Sequence, residues 1–295
     1  MNITITGATG FIGRQLLPEL QRQGHSLHVL GRRPVEGMAF SPWNSSSTAP
    51  PPAASLASAD AIIHLAGESV ARRWNPEIKK AIRDSRINGT RALVHGLSTQ
   101  SKRPEVLISG SAIGFYGDRG DEVLAESSTR GKGFLADVTA EWEATADLAA
   151  ALGIRVVKLR TGIVLGKGGG ALARMLTPFK AGLGGRLGSG QQWMSWIHMR
   201  DMVGLILLAL SQAKVSGAVN CTAPQPLRNV DFTAVLARTL RRPAVAVVPK
   251  FALKMLFGET ASVLLGSARA LPKVAENTGY RFQYAELGPA LTDLV

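Results

Sequence analysis

Apolar and polar side chains alternate from Asn2 to Thr6, and the alternation stops at Gly7. A period of two predicts a short strand. Beyond it Ile12, Leu16, Leu17 and Leu20 recur at helical spacing until Gly24. Gly7, Gly10 and Gly13 stand at steps of three where one periodicity gives way to the other. Strand, glycine turn and helix in that order present backbone N–H groups and a helix N-terminus to a pyrophosphate, so the pattern predicts a dinucleotide site. In such a turn the first glycine makes the bend. The second lets a phosphate approach the backbone, and the third lets the helix lie close to the strand.

Further strands are expected at 26–30, 61–67, 106–109, 154–159 and 217–222, and helices at 76–97, 141–152, 200–211 and 286–295. Met38–Phe40 forms a candidate short strand. The Ser- and Pro-rich stretch 45–52 leaves no room for a full helix before the next strand, so one crossover is expected to be shortened. Strands alternating with helices imply a parallel sheet. After Arg160 glycine-rich loops at 166–170 and 182–190 flank an amphipathic stretch at 172–179, and Trp193–His198 has strand character. The expected fold is therefore α/β, a Rossmann-type doubly wound parallel sheet with a smaller C-terminal substrate-binding region. Residues 1–165 form the nucleotide half, completed by parts of 191–223, and 166–295 form the smaller region.

The residues after the second strand refine the ligand. Gly31 is followed by Arg32 and Arg33, and no acid appears until Glu36. A carboxylate here would accept from the ribose 2′-hydroxyl of NAD, whereas a guanidinium would clamp the 2′-phosphate of NADP. NADP(H) is the expected cofactor, held by Arg32 first and Arg33 second.

Composition narrows the remaining classes. With 45% hydrophobic and 19% charged residues the chain is globular rather than disordered. A net charge of +13, from 34 Lys+Arg against 21 Asp+Glu, raises nucleic acid as a partner. The basic residues are scattered and lack an aromatic-interleaved pattern, so no nucleic acid is expected. The longest aliphatic stretch, Leu205–Leu210, is far too short to span a bilayer, and no membrane association is expected. The lone Cys221 excludes an internal disulfide and a multi-cysteine metal site, and suits a reducing cytoplasm. No basic-then-apolar leader precedes the first strand, no metal is expected, and a homodimer stays open.

The assembled motifs resemble the extended short-chain dehydrogenases/reductases. Gly7-x-x-Gly10-x-x-Gly13, Leu65-Ala66-Gly67, Ser109-Gly110-Ser111-Ala112, Leu159-Arg160-x-x-x-Val164-x-Gly166 and Trp196-Ile197-His198-x-x-Asp201 follow that superfamily's order. Within it, His64–Glu68, Arg72-Arg73-Trp74, Ser85-Arg86-x-x-Gly89-Thr90, Gly188–Trp193 and the tail from Gly258-Glu259 through Pro272 to Gly279-Tyr280 are similar to an atypical subgroup. That subgroup is the epimerase family proteins, family 39U. The resemblance implies an NADP(H)-binding α/β protein, with Gly7, Gly10, Phe11, Ile12 and Gly13 at the pyrophosphate and Arg32 at the 2′-phosphate. It puts Leu65, Ala66 and Gly67 beside the adenosine and ribose, and Val164 near the nicotinamide. Arg86 replaces an asparagine usual in the superfamily, and could reach a cofactor phosphate, a ribose or a substrate anion.

The superfamily's usual proton carrier is a Tyr-x-x-x-Lys pair, in which the lysine charge draws the phenol pKa down toward neutrality. The three tyrosines are Tyr116, Tyr280 and Tyr284, and the residues four positions later are Gly120, Tyr284 and Gly288, so the pair does not exist here. Phe134 stands in the expected region. Ser111 remains a candidate for polarising a small carbonyl substrate, and Tyr116 a candidate proton donor, with Asp137, Glu68 and His198 behind them. Three classes follow: an oxidoreductase or epimerase with a relocated acid/base, a redox-sensing or regulatory module that binds NADP(H) without turnover, or a scaffold whose nucleotide is structural.

Overall fold

Ile62 and Ile63, Leu107 and Ile108, and Val156 and Val157 are adjacent in sequence, fully or almost fully buried, and packed into two different cores. Adjacent side chains on a strand point to opposite faces, so such pairs require a sheet covered on both sides. The computed structural model, which describes residues 1–295, contains that sheet. Its strands are β1 (Asn2–Thr6), β2 (Ser26–Gly31), β3 (Ala39–Pro42), β4 (Ala61–His64) and β5 (Val106–Ala112), then, after the short β6 (Val123–Leu124), β7 (Arg155–Thr161). Four short strands follow: β8 (Ile163–Leu165), β9 (Gly185–Leu187), β10 (Trp193–Met194) and β11 (Trp196–His198). The last sheet strand is β12 (Gly217–Cys221), in the all-parallel order β12-β7-β5-β4-β1-β2-β3.

One face is covered by α1 (Gly13–Arg22) and, further along, by the helix Met199–Ser211, through Leu16, Leu20, Met202, Leu205 and Ile206. The other is covered by α2 (Pro76–Ser98) and α3 (Phe134–Asp147), through Leu93, Leu97 and Ala146. Asn75 caps α2, its Oδ1 accepting from the Ile78 N–H at 2.7 Å, and Pro76 occupies the first turn, where no N–H is needed. The α3 helix starts at Phe134, seven residues before the start at Glu141 that the sequence suggested. Gly133, at φ 105°, ends the incoming loop there, and Phe134 packs its ring against Trp74. Between β3 and β4 the chain forms only a 3-10 turn at Ala53–Ser55, which is the shortened crossover.

The remaining elements form the cap: α4 (Gly170–Lys180), α5 (Met199–Ser211, shared with the sheet), α6 (Asn229–Leu240), α7 (Lys250–Phe257), α8 (Ala261–Leu265), α9 (Lys273–Asn277) and α10 (Leu287–Leu294), with β13 (Leu227–Arg228), β14 (Ala246–Val248) and β15 (Arg269–Ala270). Two sets of bonds fasten it. The loop after β4 reaches it through Thr260, whose Oγ1 accepts from the Trp74 N–H at 2.9 Å and donates to the Arg72 carbonyl at 2.9 Å. Arg174 Nη1 donates to the Ala71 carbonyl at 2.8 Å. At the other end Asp201, fully buried in the first turn of α5, accepts the Gln283 and Tyr284 N–H groups at 2.8 and 2.9 Å and the Tyr280 hydroxyl at 3.1 Å. No helix is long and apolar enough to cross a membrane.

Asp201 holds three donors of the C-terminal segment with one charge. Replacing it with alanine is expected to cost about 3 kcal/mol or more in urea unfolding and to speed amide hydrogen exchange across 280–294. Unchanged exchange in that segment would show that the tail is held by other contacts.

Candidate functional site

Three backbone segments meet behind the glycine turn. A Cβ on Gly7, at φ 73°, would lie 2.7 Å from the Leu65 carbonyl carbon, and one on Gly13 would lie 2.3 Å from the Gly7 oxygen. Gly7 therefore lets β1 and the end of β4 touch, and Gly13 lets α1 start directly against the turn. Gly10 donates its N–H to the Gly7 carbonyl at 2.9 Å, and Arg14 N–H takes the Gly10 carbonyl at 3.0 Å. The first turn of α1 has neither a capping side chain nor an acid. The Phe11, Ile12 and Gly13 N–H groups, unlike those of Arg14 and Gln15, donate to no backbone oxygen, and with the positive dipole end they offer an anion's place at the carboxyl edge of the sheet.

Arg32 and Arg33 follow β2 on the same edge. Both are exposed, and no carboxylate of the chain pairs with either. Leu65, Ala66 and Gly67 continue from β4 on the other side of β1. Their position is fixed by a buried relay absent from the sequence reading. Ala66 N–H donates to Thr6 Oγ1 at 3.2 Å, and that hydroxyl lies 2.7 Å from His64 Nδ1. His64 Nε2 lies 3.1 Å from Thr90 Oγ1, which also accepts the Trp142 indole N–H at 2.9 Å and donates to the Arg86 carbonyl. One neutral tautomer, with the proton on Nε2, satisfies every member. Burial lowers the His64 pKa to about 4.

The relay ends at Arg86, whose guanidinium lies against Gly67: a Cβ there would be 3.2 Å from the guanidinium carbon. Nη1 donates to the Glu68 and Ile82 carbonyls at 2.9 and 3.1 Å. Burial lowers its pKa to about 10, against the opposing pull of Glu68, so it stays charged at neutral pH. On the opposite rim Phe11 seats its ring among Gly166, Gly169 and Gly170, where a Cβ would come within 2.9, 2.7 and 2.6 Å of it. That ring binds the glycine turn to the loop after β8, which carries Val164, and Val164 in turn pairs with Ile197 of β11. The two ends of the candidate cofactor track are therefore joined by direct packing.

Ser111 and Tyr116 are drawn elsewhere. Ser111 Oγ donates to Glu143 Oε1 at 2.6 Å. Glu143 is gripped at both oxygens by Arg160, through Nε and Nη2 at 2.8 Å each, with both residues 5% exposed. Arg160 Nη1 donates to the Tyr116 hydroxyl at 2.9 Å, and that hydroxyl lies 2.7 Å from Asn220 Oδ1 and 3.0 Å from the Ala125 carbonyl oxygen. Phe115 lies under the Arg160 guanidinium at 3.6 Å. Burial raises the Tyr116 pKa, partly offset by Arg160. Phe134 and, four residues on, Val138 join Trp74, Ile78 and Ile82 in an apolar cluster, and Asp137 pairs with Arg130 at 3.1 Å on the surface. Glu68 lies 3.5 Å from Arg72. His198 caps α5 by accepting from Arg200 N–H at 3.1 Å and stacks on Tyr284 at 3.9 Å. The sequence named Arg160 within a motif, yet gave no sign that Glu143 would be its partner or that Asn220 would be the partner of Tyr116.

Residues 3–222, which span the whole sheet and the glycine turn, match the NAD dependent epimerase/dehydratase family. The chain belongs to that family. Residues 248–294 match a domain of unknown function, DUF1731. Among epimerase family proteins, an SDR39U1 homolog of Arabidopsis thaliana chloroplasts is 42% identical over 99% of this chain and 86% of its own length. YfhF of Bacillus subtilis is 39% identical over 100% and 98%. The human epimerase family protein SDR39U1 (isoform 2), crystallised with NADPH, superposes with a TM-score of 0.89 at 32% identity, covering 100% of this chain and 99% of that one. UDP-N-acetylglucosamine 4-epimerase of Bacillus cereus, at a TM-score of 0.77 and 17% identity over 99% and 97%, shares the fold. The chain is thus an epimerase-family member of the short-chain dehydrogenase/reductase type, with the Rossmann-like sheet that the glycine spacing announced.

His64 supplies a pH test of the relay. Above pH 6.5 the histidine is neutral in both folded and unfolded chains. Below that the unfolded chain takes up a proton that the folded one refuses until about pH 4. Stability should fall by about 3 kcal/mol across that window on this account. Chemical denaturation from pH 7.5 to 4 should show a steeper loss for the wild type than for His64→Gln. Parallel curves would mean that His64 is not held neutral.

Proposed function

We propose that this chain binds NADP(H) along the carboxyl edge of β1, β2 and β4 and acts as an oxidoreductase on a small carbonyl-type substrate. The observation that carries this reading is the crowded, acid-free glycine turn beside the unpaired Arg32. In that arrangement the α1 N-terminus and the Phe11, Ile12 and Gly13 backbone would hold the pyrophosphate. Arg32, with Arg33 next to it, would grip the 2′-phosphate. Leu65, Ala66 and Gly67 would floor the adenosine and ribose, Arg86 would donate from beneath Gly67, and Val164 would wall the nicotinamide. The NADPH in the human relative supports the same choice. NADP(H), when bound, supplies a hydride donor or acceptor at its nicotinamide ring. The sheet with its glycine turn would form the coenzyme half, and the cap from 166 onward, less α5 and β12, the substrate half.

The chain's own groups leave the proton to water. Ser111 and Tyr116 were the candidates to polarise a carbonyl and deliver a proton, but Ser111 spends its hydrogen on Glu143, and burial makes Tyr116 a weaker acid. Both are better suited to positioning the β5 exit through Arg160. Quinones and conjugated carbonyls give delocalised anions on hydride uptake, and water can protonate these, so they are the favoured substrates. A second reading has its own support: Phe134 and Val138 fill the places of proton carrier and lysine with hydrocarbon, as suits a module that senses the NADP(H) state without turnover.

Calorimetry should find NADPH binding about ten- to a hundredfold weaker in Arg32→Ala, with NADH little changed, because one charge-assisted phosphate contact is worth about 1.5–3 kcal/mol. Equal losses for both coenzymes would remove Arg32 from the phosphate. Absorbance at 340 nm with aldehydes, ketones, quinones and nucleotide sugars then separates the readings. Quinone turnover that survives Ser111→Ala and Tyr116→Phe within about tenfold supports water as the proton source. Tight NADPH binding without turnover across the panel favours the sensor.

A further inference from the structure

We propose that Arg269 is an oxyanion-binding residue of the substrate cleft, set on Trp193 to take a carboxylate or phosphate group of the substrate. The proposal rests on the reading above that the cap forms the substrate half, facing the sheet where β5 and β8 end.

Two chain segments leave the nicotinamide end of the sheet and converge on this residue. From β5 the chain runs through a 3-10 turn at Ile113–Tyr116 into β6, where Val123 pairs with Arg269 of β15. Ser267 Oγ donates to the Gly120 carbonyl at 2.6 Å, and Ala268 and Phe115 both pack against the cluster of Tyr116, Leu124 and Ala270, so the strand carrying Arg269 is stitched to that exit. From the β8 side, β11 pairs with Val164, and β10 just before it carries Trp193, whose N–H donates to Ser267 Oγ at 3.0 Å. The Arg269 guanidinium carbon lies 4.4 Å from the Trp193 ring centre, and that of Arg228 lies 4.8 Å from it.

The three side chains differ in what they have left to bind. Trp193 Nε1 donates to Asp121 Oδ1 at 2.8 Å. Arg228 pairs with the same oxygen at 3.0 Å and donates to the Gln191 carbonyl at 2.7 Å. Arg269 has no such partner: its Nε is buried without a hydrogen bond, and no carboxylate of the chain pairs with it. Other inward-facing arginines behave differently, Arg160 being committed to Glu143 and Tyr116, Arg155 to the Ala209 and Val215 carbonyls and Arg86 to the Glu68 and Ile82 carbonyls. A guanidinium only donates, and a desolvated donor left unmatched is costly. Its planar fork fits a carboxylate or a phosphate at two points, and the indole beneath fixes the plane. Two guanidinium groups on one indole against the single Asp121 carboxylate, which pairs with Arg228, leave the local charge positive. Arg269 would thus select substrates that carry an anionic group beyond the reacting carbon.

The test uses the full chain saturated with NADPH, titrated by calorimetry with phenyl phosphate, benzoate and the neutral benzyl alcohol. Saturable binding of phenyl phosphate or benzoate is expected, about tenfold or more weaker in Arg269→Ala and intermediate in Arg269→Lys, with no binding of benzyl alcohol. The stronger of the two anions identifies the group. NADPH affinity should be equal in all three proteins. Should truncation unfold the chain, Arg269→Gln keeps the unbranched stem as far as Cδ and a polar end while removing the charge. Absence of saturable anion binding, or equal binding in the variants, would overturn the proposal. NADPH binding is read separately, and if it fails, the same anion titration without coenzyme still decides the role of Arg269.

Discussion

The end of β1 touches the end of β4 across a glycine that has no room for a methyl group, and the rest of the site is arranged around that contact. Because the Gly7 backbone lies directly against Leu65 and Ala66, the two strands reach the carboxyl edge together. Because Gly13 lies against Gly7, the first helix begins at the same point, with the Phe11, Ile12 and Gly13 N–H groups left unbonded. Phe11 then extends the contact sideways into the glycines after β8. Small residues recur here for one reason: backbone must meet backbone or ring, and any side chain between them would push the coenzyme track apart.

Much of this was legible because it is local. Three glycines between two hydrophobic periodicities announce a strand, a turn and a helix, and two arginines after the second strand need no tertiary information to be noticed. The long helix at Pro76 could be read from its cap and its first-turn proline. The start of α3 could not, since Phe134 gains its place only by meeting Trp74 from another loop. Similarly, Ser111 and Tyr116 looked like free hydroxyls because Glu143 and Asn220, far along the chain, carry no local mark as their partners. His64 looked like one more strand residue until Thr6 and Thr90 were found on either side of it. What sequence conceals is the long-range satisfaction of buried polar groups.

Two buried polar systems divide the labour beneath the cleft. The His64 relay runs through neutral hydroxyls, imidazole and indole and joins the floor under Gly67 to α2. The Arg160–Glu143 pair is ionic and joins β7 to α3, with Ser111, Tyr116 and Asn220 as its fringe. A buried pair of this kind contributes little net stability but is costly to break singly, which makes it better at fixing geometry than at holding the fold together. It sets the direction in which the chain leaves β5, and through the segment from Ile113 to Leu124 it governs where the cap meets the sheet.

The hydrocarbon cluster at the head of α3 constrains any attempt to give this scaffold the chemistry of its better-known cousins. A phenol grafted at Phe134 would point its ring at the Trp74 indole edge rather than at open space. An ammonium grafted at Val138 would enter a dry pocket among Ile82 and Trp74, where desolvation strips its proton. The electrostatic help that lysine lends its tyrosine elsewhere would vanish with that proton. Installing the pair would need Trp74 and its loop to be rebuilt first, and that loop is latched to the cap through Thr260. Packing around a single indole thus decides which side chains the head of α3 can carry.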